Sequence, residues 1–535
     1  MRGADIVVRT LARAGVRRIF SLSGNQIMPV YDACIDAGVA IVHTRHEAAA
    51  VFMADAWAQL TGQVGVALVT AAPGFANALG ALYAARMAES PVLLLSGAAP
   101  VAQDGRGAFQ ELAQAEMAAP VTKLSFRAAS PAGLGGDMAR ALRTAPCGRP
   151  GPVHLALPFD VLEAEAPDAL PSETSLQPEP MAAGADDVAA IREALEAARR
   201  PLVLTGPALN ATRAGPLLAR LAEAVDAPVV PLESPRGLRD PSLGDFPLAL
   251  AEADLVLSLG KTIDFSVGFG QAVRDERCGW LVVSADAAER DRAHRNLGGR
   301  LGHCIAADPR SVATALAGTA AAPASRRTEW RREVAQLIAT RGFAAADNAA
   351  GRITPAALCA AVQRRIDAVE NATLVNDGGE FGQWALACLS APRRLVNGPS
   401  GAIGGGLPYG IAAKKACPDA SVFVLMGDGS VGFHLAEFET ATREGTPFVL
   451  VVGNDACWNA EHQIQLRRYG PDRLIGCGLS SARYDEAARA LGGHGEHVTD
   501  LAALDAALER ALASGKPACV NVAIEGLPAP SGPPH

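Results

Sequence analysis

The residues with the clearest chemistry lie in Gly427-Asp428-Gly429-Ser430-Val431-Gly432, which follows an apolar run at 421–426 and precedes a helix-like stretch. This is formally a GxGxxG turn between a strand and a helix, the pattern by which backbone N–H groups approach the pyrophosphate of a dinucleotide. Here an aspartate sits between the first two glycines. A bare carboxylate repels a diphosphate unless a divalent cation lies between them, so the pattern favours a metal-bridged diphosphate over NAD. The next apolar run, 448–452, ends at Gly453-Asn454-Asp455, and Asp455 comes 27 residues after Asp428. A parallel βαβ unit sets these two carboxylates at neighbouring strand ends, where their oxygens suit an octahedral Mg²⁺ that also takes diphosphate oxygens and water. The competing reading is ordinary turn glycines with a helix N-cap.

Placing such groups requires parallel strands that end along one edge. Apolar runs at 64–70, 92–96, 153–157, 201–205, 253–260, 373–377, 421–426 and 447–452 alternate with Ala-rich helical stretches, which argues for α/β units with parallel sheets. At 535 residues the chain outgrows a single core, which stops near about 250 residues. We expect an α/β protein of three doubly wound parallel-sheet domains, at 1–165, 186–320 and 350–527. The Pro- and acid-rich stretch 163–187 reads as a linker, and the second block fades near 317–327. A formal charge of −8 with scattered Lys and Arg argues against nucleic acid or an anionic membrane as partner. The N-terminus reads as an amphipathic helix rather than a signal peptide, and no stretch reaches the roughly 20 apolar residues of a membrane span. Ten dispersed cysteines without a CxxC pair speak against structural zinc or a disulfide scaffold and for a reducing cytoplasm.

Gly427-Asp428-Gly429 and the closing Asn454-Asp455 resemble the motif of thiamine diphosphate-dependent enzymes, a GDG followed after about 25 residues by Asn-Asn. The resemblance implies a Mg²⁺ held by Asp428, Asp455 and the carbonyl of Cys457, with Gly427, Gly429 and Ser430 at the diphosphate. Asp455 departs from the family's usual Asn and adds a negative charge. Thr44-Arg45-His46-Glu47-Ala48-Ala49-Ala50 resembles the pyrimidine-binding module of the same family. It makes Glu47 the acid that shares a proton with N1′ of the aminopyrimidine and so promotes deprotonation at C2 of the thiazolium, a task for a buried carboxyl. Taken alone, Glu47 also reads as a helix N-terminal charge. Ala72-Pro73-Gly74-Phe75-Ala76-Asn77 resembles the family's Gly-Pro-Gly-x-x-Asn turn, which brings Pro73 and Asn77, with Gly24, into the cofactor set. Gly401-Ala402-Ile403-Gly404-Gly405-Gly406 resembles the segment whose apolar residue wedges between the cofactor rings; Ile403 takes that place, its bland alternative being a core isoleucine. The order pyrimidine-binding, central and diphosphate-binding domain is that of the acetolactate synthase-like branch. In that family Glu47 and Asp428 reach one cofactor from different subunits, which implies at least a dimer.

Pro29-Val30-Tyr31, Phe109-Gln110-Glu111 and Pro120-Val121-Thr122-Lys123 match the phrasing of acetolactate synthases, but several segments depart from it. Ser23-Gly24-Asn25 replaces Pro-Gly-Gly. Glu380-Phe381 stands where Gln-His normally helps bind the diphosphate, and an ionised carboxylate cannot donate to phosphate. Lys261-Thr262-Ile263-Asp264-Phe265 replaces the Arg-containing segment of the FAD-binding middle domain, which counts against FAD and leaves FAD, ADP or no ligand open there. Glu461 lies 33 residues after Asp428, the spacing at which pyruvate decarboxylase-like members carry an active-site glutamate. Glu461 and His462 are therefore expected to move protons at the reacting centre, against the reading of a solvated helix face. Asn25, Gln110, Trp458 and His462 suggest a polar pocket for a small-molecule substrate. The expected reaction is carboligation or decarboxylation of a 2-oxo acid. The alternatives are cleavage of a 2-hydroxyacyl-CoA or oxalyl-CoA, and a catalytically silent regulatory homologue.

Overall fold

The runs of Val, Leu and Ile are too apolar to face water on either side, and each becomes a strand covered on both faces. In the computed structural model, which describes residues 1–167, 170–318, 326–341, 352–396 and 399–530, these strands pair in parallel within three sheets. The first contains β1 (Arg18–Ser21), β2 (Ala40–His43), β3 (Gly65–Val69), β4 (Val92–Ala98), β5 (Leu124–Arg127) and β6 (Val153–Pro158), in the order β2-β1-β3-β4-β6-β5. The second holds β7 (Pro201–Thr205), β8 (Val229–Pro231), β9 (Leu255–Leu259), β10 (Gly279–Val283) and β11 (Leu301–Ile305), in the order β11-β10-β9-β7-β8. The third has β12 (Ala372–Asn376), β13 (Arg393–Val396), β14 (Ser421–Gly427), β15 (Val449–Asn454), β16 (His494–Val498) and β17 (Ala518–Ala523), in the order β13-β12-β14-β15-β17-β16. The expected domain edges at 320 and 350 lie outside the described residues. The helix Thr328–Ala339 packs on the second sheet, with Trp330 and Val334 buried in its core and Trp330 Nε1 donating to Pro201 O at 3.0 Å.

Strand alternation sorts side chains onto two faces of each sheet. Val66 and Leu68 enter the core beneath the N-terminal helix Gly3–Arg13, whereas Ala67 and Val69 enter a core shared with the third sheet. That shared core joins the first and third domains through the helices Glu47–Thr61 and Gly406–Ala416. Both are rich in small residues, and each lies close on a strand of its own sheet. At Gly410 an added Cβ would stand 2.6 Å from the Val424 side chain, and at Gly65 one would stand 1.9 Å from Ala54 O. Between the two helices the buried Tyr409 hydroxyl donates to the Asp55 carboxylate, which also accepts from Gln59 Nε2 at 2.8 Å. Burial and the Asp55 charge hold the Tyr409 phenol well above its ordinary value, so it stays a donor.

The second domain is tied to both others by charge. Arg213 reaches Ala88 O and Glu89 O at 2.9 Å each, Arg149 pairs with Glu89 and Glu289, and Glu233 pairs with Arg394 of β13 at 2.8 Å. Removing one partner of a buried, charged hydrogen bond costs about 1–3 kcal/mol. Tyr409→Phe should therefore lower the stability of the first–third domain unit by about that amount, read as a lower urea midpoint in tryptophan fluorescence. An unchanged midpoint would show that Gln59 alone satisfies Asp55.

Candidate active site

β14 and β15 run side by side to the same edge, Gly427 opposite Gly453. Asp428 follows directly on β14 and opens the helical turn Asp428–Val431; it is 2% exposed, and its Oδ2 has no hydrogen-bond partner among the described residues. Burial, and after it the Asp455 charge, pushes the Asp428 carboxyl up to about 7. Burial pushes Asp455 up to about 6, with the Glu380 carboxylate adding to it. Both line a cleft of about 290 Å³ together with Cys457, Ile403, Ser430 and Glu461. An orphaned buried carboxylate oxygen facing a second acid fits a divalent cation. No cluster of three or more His, Cys, Asp or Glu side chains that could hold a metal occurs among the described residues. The donor set thus suits an ion that takes one or two carboxylates and fills its shell with phosphate oxygens and water, the habit of Mg²⁺.

The walls explain the glycines. A Cβ on Gly429 would stand 2.5 Å from the Trp458 ring, and one on Gly453 would stand 2.6 Å from the Phe381 ring. Ile403 projects from a loop that the buried Asp377 carboxylate organises by accepting from the N–H groups of Gly378, Gly404 and Gly406. Gly378 lets that loop close in, since its Cβ would stand 2.7 Å from Ile403 Cγ2. Glu380 also lines the cleft, but its carboxylate is engaged: Oε1 accepts from Ala529 N at 2.7 Å and Oε2 from Gln383 Nε2 at 3.2 Å. With Trp384 and Asn459 both donating to Leu527 O at 3.3 Å, it fastens the chain at 527–529 across the two helices that flank the cleft. Glu461 is exposed on the first turn of the helix Asn459–Tyr469, and His462 lies outside the lining.

A second cluster forms at the carboxyl ends of β1 and β3. Glu47 is 8% exposed and opens the helix Glu47–Thr61, capped by His46 Nδ1 accepting from Ala48 N. Asn77 Nδ2 donates to Glu47 Oε2 at 3.0 Å, and a Cβ on Gly74 would stand 3.2 Å from Glu47 Oε1. Thr70 is the hinge of the cluster. It crowds both Gly24 and Gly74, and its hydroxyl donates to Gln26 Oε1, while Gln26 Nε2 donates to Gln110 Oε1 at 2.6 Å. Pro73 starts the helix Pro73–Met87 from Ala72, whose φ of +48° is strained for a residue with a Cβ. A buried chain pays for that strain: Gln114 Oε1 accepts from Ala72 N at 2.6 Å, Gln114 Nε2 donates to Ser96 Oγ, and Ser96 and Ser125 bracket His154. Asn25 is exposed beside this cluster.

The structure thus gathers the expected residues into two groups. Glu47, Asn77, Pro73, Gly24 and Gln110 form one. Asp428, Asp455, Cys457, Ile403, Glu380, Gly427, Gly429, Ser430 and Glu461 form the other, and no residue of the first domain lines its cleft. Sequence reasoning missed Asp377, Gln114 and Glu437. Asp377 had a usable signal, an acid before Gly-Gly at a strand end. Glu437 had none, since its buried Oε1 accepts from Arg45 N and His46 N, at 2.9 and 3.0 Å, across some 390 residues of chain.

Burial pushes His154 down to about 3 from an ordinary 6.5, so the fold holds the neutral ring. Between those values the unfolded chain binds a proton that the folded ring refuses. Its contribution is complete above pH 6.5 and is lost as pH falls toward 3. Thermal midpoints of wild type should therefore fall more steeply between pH 7 and 5 than those of His154→Gln; parallel profiles would contradict this.

Two family models span the segments that carry the two clusters. The family described as thiamine pyrophosphate enzyme, N-terminal TPP binding domain, matches residues 1–117, and its C-terminal TPP binding domain counterpart matches residues 377–522. The acetolactate synthase large subunit IlvG of Mycobacterium tuberculosis is 32% identical over 553 residues, covering 98% of this chain and 95% of that protein. The 2-hydroxyacyl-CoA lyase 2 of Homo sapiens is 32% identical over 550 residues, covering 92% and 84%. That of Danio rerio is 32% identical over 550 residues, covering 92% and 86%. The chain belongs to the thiamine pyrophosphate enzymes, in their acetolactate synthase-like branch, and is a thiamine pyrophosphate-dependent enzyme that forms or cleaves C–C bonds.

Proposed function

We propose that the protein is a thiamine diphosphate- and Mg²⁺-dependent carboligase and decarboxylase of 2-oxo acids. The observation that supports this most is the buried Asp428 with its orphaned Oδ2 beside Asp455, at the mouth of two parallel strands. In this reading Asp428, Asp455 and the Cys457 carbonyl hold the metal, while Gly427, Gly429 and Ser430 admit the diphosphate. Ile403 props the cofactor rings, and Asn77 holds Glu47 where it exchanges a proton with the aminopyrimidine. The bound cofactor supplies a nucleophilic carbon and an electron sink for the bond that breaks. Glu461 moves a proton at the substrate oxygen or carbon, and Gln110 and Asn25 face the substrate. We give Glu380 the role of fastening the 527–529 segment rather than contacting phosphate.

Glu47 and Asp428 lie in separate clusters of one chain, which supports a homodimer in which each cofactor is held by the first domain of one copy and the third domain of another. The absence of charge clustering gives no reason to invoke nucleic acid. Among the described residues no helix is long and apolar enough to cross a membrane. Ten unpaired cysteines suit the cytoplasm. We assign FAD no role: Arg149 and Arg213, which line the crevice at the strand ends of the second sheet, are already engaged by the first domain.

The second reading is a 2-hydroxyacyl-CoA lyase, favoured by the relatives of that name. It ranks behind because CoA phosphates need several basic groups, and among the described residues Arg236 is the one basic residue lining the cleft. A silent regulatory homologue is disfavoured by the intact Glu47–Asn77 pair. Holoenzyme given pyruvate should release CO₂ and form 2-acetolactate; CO₂-free turnover of a 2-hydroxyacyl-CoA would establish the second reading, and cofactor binding without turnover of either substrate the regulatory one. Glu461→Gln should lower kcat by about tenfold or more at unchanged cofactor affinity, and unchanged kcat would remove it from the mechanism. Glu47→Gln and Asp428→Asn should each be inactive, whereas co-expressed mixed dimers regain one intact site. No recovery would contradict the shared-site arrangement.

A further inference from the structure

Gly404 follows Ile403 in the chain, and both of its backbone polar groups are taken by buried side chains. Its N–H donates to Asp377 Oδ2 at 2.9 Å, and its carbonyl accepts from His434 Nδ1 at 2.7 Å. Asp377 follows the end of β12, whereas His434 lies on the short link between the turn Asp428–Val431 and the helix Glu437–Arg443. The loop is therefore gripped from two sides. A carboxylate that collects N–H groups at one point leaves a loop free to swing about that point, and Gly404, at φ +89°, is a soft position. A second bond, to the carbonyl, removes the swing. Only glycine allows this approach, because a Cβ on residue 404 would stand 2.5 Å from Cβ of Phe433, the neighbour of His434.

His434 is itself firmly held. It is 6% exposed, and its ring meets two rings of the first domain edge to face, His46 at 5.5 Å and Phe52 at 5.7 Å between centroids. Three residues further on, Glu437 binds Arg45 N and His46 N. Burial brings the His434 imidazole down to about 4, so at neutral pH the ring is uncharged and has one N–H to give. A carbonyl can only accept, which puts that proton on Nδ1.

We propose that His434 is a positioning residue for cofactor activation, fixing Ile403 under the cofactor rings by donating to Gly404 O. This rests on the reading of Ile403 as the prop, given above. The bent cofactor has to bring its exocyclic nitrogen to C2, whose proton must leave, and a misplacement of about 1 Å costs about a hundredfold in rate. An aliphatic wedge on a loop of glycines has no stiffness of its own. Its position comes from what holds the flanking peptides, and His434 supplies the half of that hold that Asp377 does not. His434 does not line the cleft, so it acts through the loop.

Wild type, His434→Leu, His434→Asn and Ile403→Ala are compared. Leucine fills the space without donating, whereas asparagine carries Nδ2 on Cγ, where the imidazole carries Nδ1, and so keeps a donor in place. The readouts are hydrogen–deuterium exchange at C2 of bound thiamine diphosphate and amide exchange across 399–406 in the apoprotein. His434→Leu should slow C2 exchange by about tenfold or more and unprotect the amides of Gly404 and Gly406, and His434→Asn should recover most of both. Unchanged C2 exchange in His434→Leu overturns the proposal. So does slow C2 exchange with the loop amides still protected, or an asparagine variant as slow as the leucine one. Isotope-labelled histidine NMR of wild type adds a test that needs no variant to fold: a proton found on Nε2 of His434 instead of Nδ1 overturns the proposal. Ile403→Ala exchanging at C2 as fast as wild type overturns the reading of Ile403 as the prop, a result distinct from the others.

Discussion

Two acids forced together at the ends of adjacent parallel strands are the constraint around which the third domain is arranged. Asp428 and Asp455 are held up to about 7 and about 6 by burial and by neighbouring charge, and a fold keeps such a pair only where a cation or a function compensates it. Everything near them serves close approach. Gly429 and Gly453 admit the rings of Trp458 and Phe381, Gly378 admits Ile403, and Asp377 gathers three N–H groups to hold the Ile403 loop.

The first domain solves a different problem, that of presenting one acid rigidly. Glu47 sits at a helix start whose preceding N–H groups are bound by Glu437 of the third domain, and Asn77 fixes its carboxylate from a helix that starts at a strained alanine. The strain at Ala72 is met by a buried relay through Gln114, Ser96 and His154 into the middle of the sheet. The second domain contributes no element of either cluster except the Arg236 loop. Its Arg213 and Glu233 bind Glu89 O of the first domain and Arg394 of the third.

Much of this was legible in the residues themselves. Strands buried on both faces announce themselves as unbroken apolar runs, which is why 421–426 and 448–452 were visible as β14 and β15, and why an aspartate between glycines at the strand end pointed to a metal-bridged diphosphate. Long-range partnerships were not legible. Nothing around Glu437 shows that it binds N–H groups some 390 residues away. Nothing around Glu380 reveals that Ala529 N occupies its carboxylate. The same holds for Arg236: an isolated arginine in a Ser-Pro-Arg-Gly loop is unremarkable until the fold delivers it to the rim of an acidic cleft.

The central claim is that Asp428 and Asp455 hold a divalent cation that in turn holds a diphosphate. Calorimetric titration of the apoprotein with thiamine diphosphate, with Mg²⁺ and then with chelator in its place, tests this directly. The account predicts saturable binding with Mg²⁺, at least a hundredfold weaker binding with chelator, about 2.7 kcal/mol, and the same loss in Asp428→Asn with Mg²⁺ present. Equal affinity with and without the metal would contradict it.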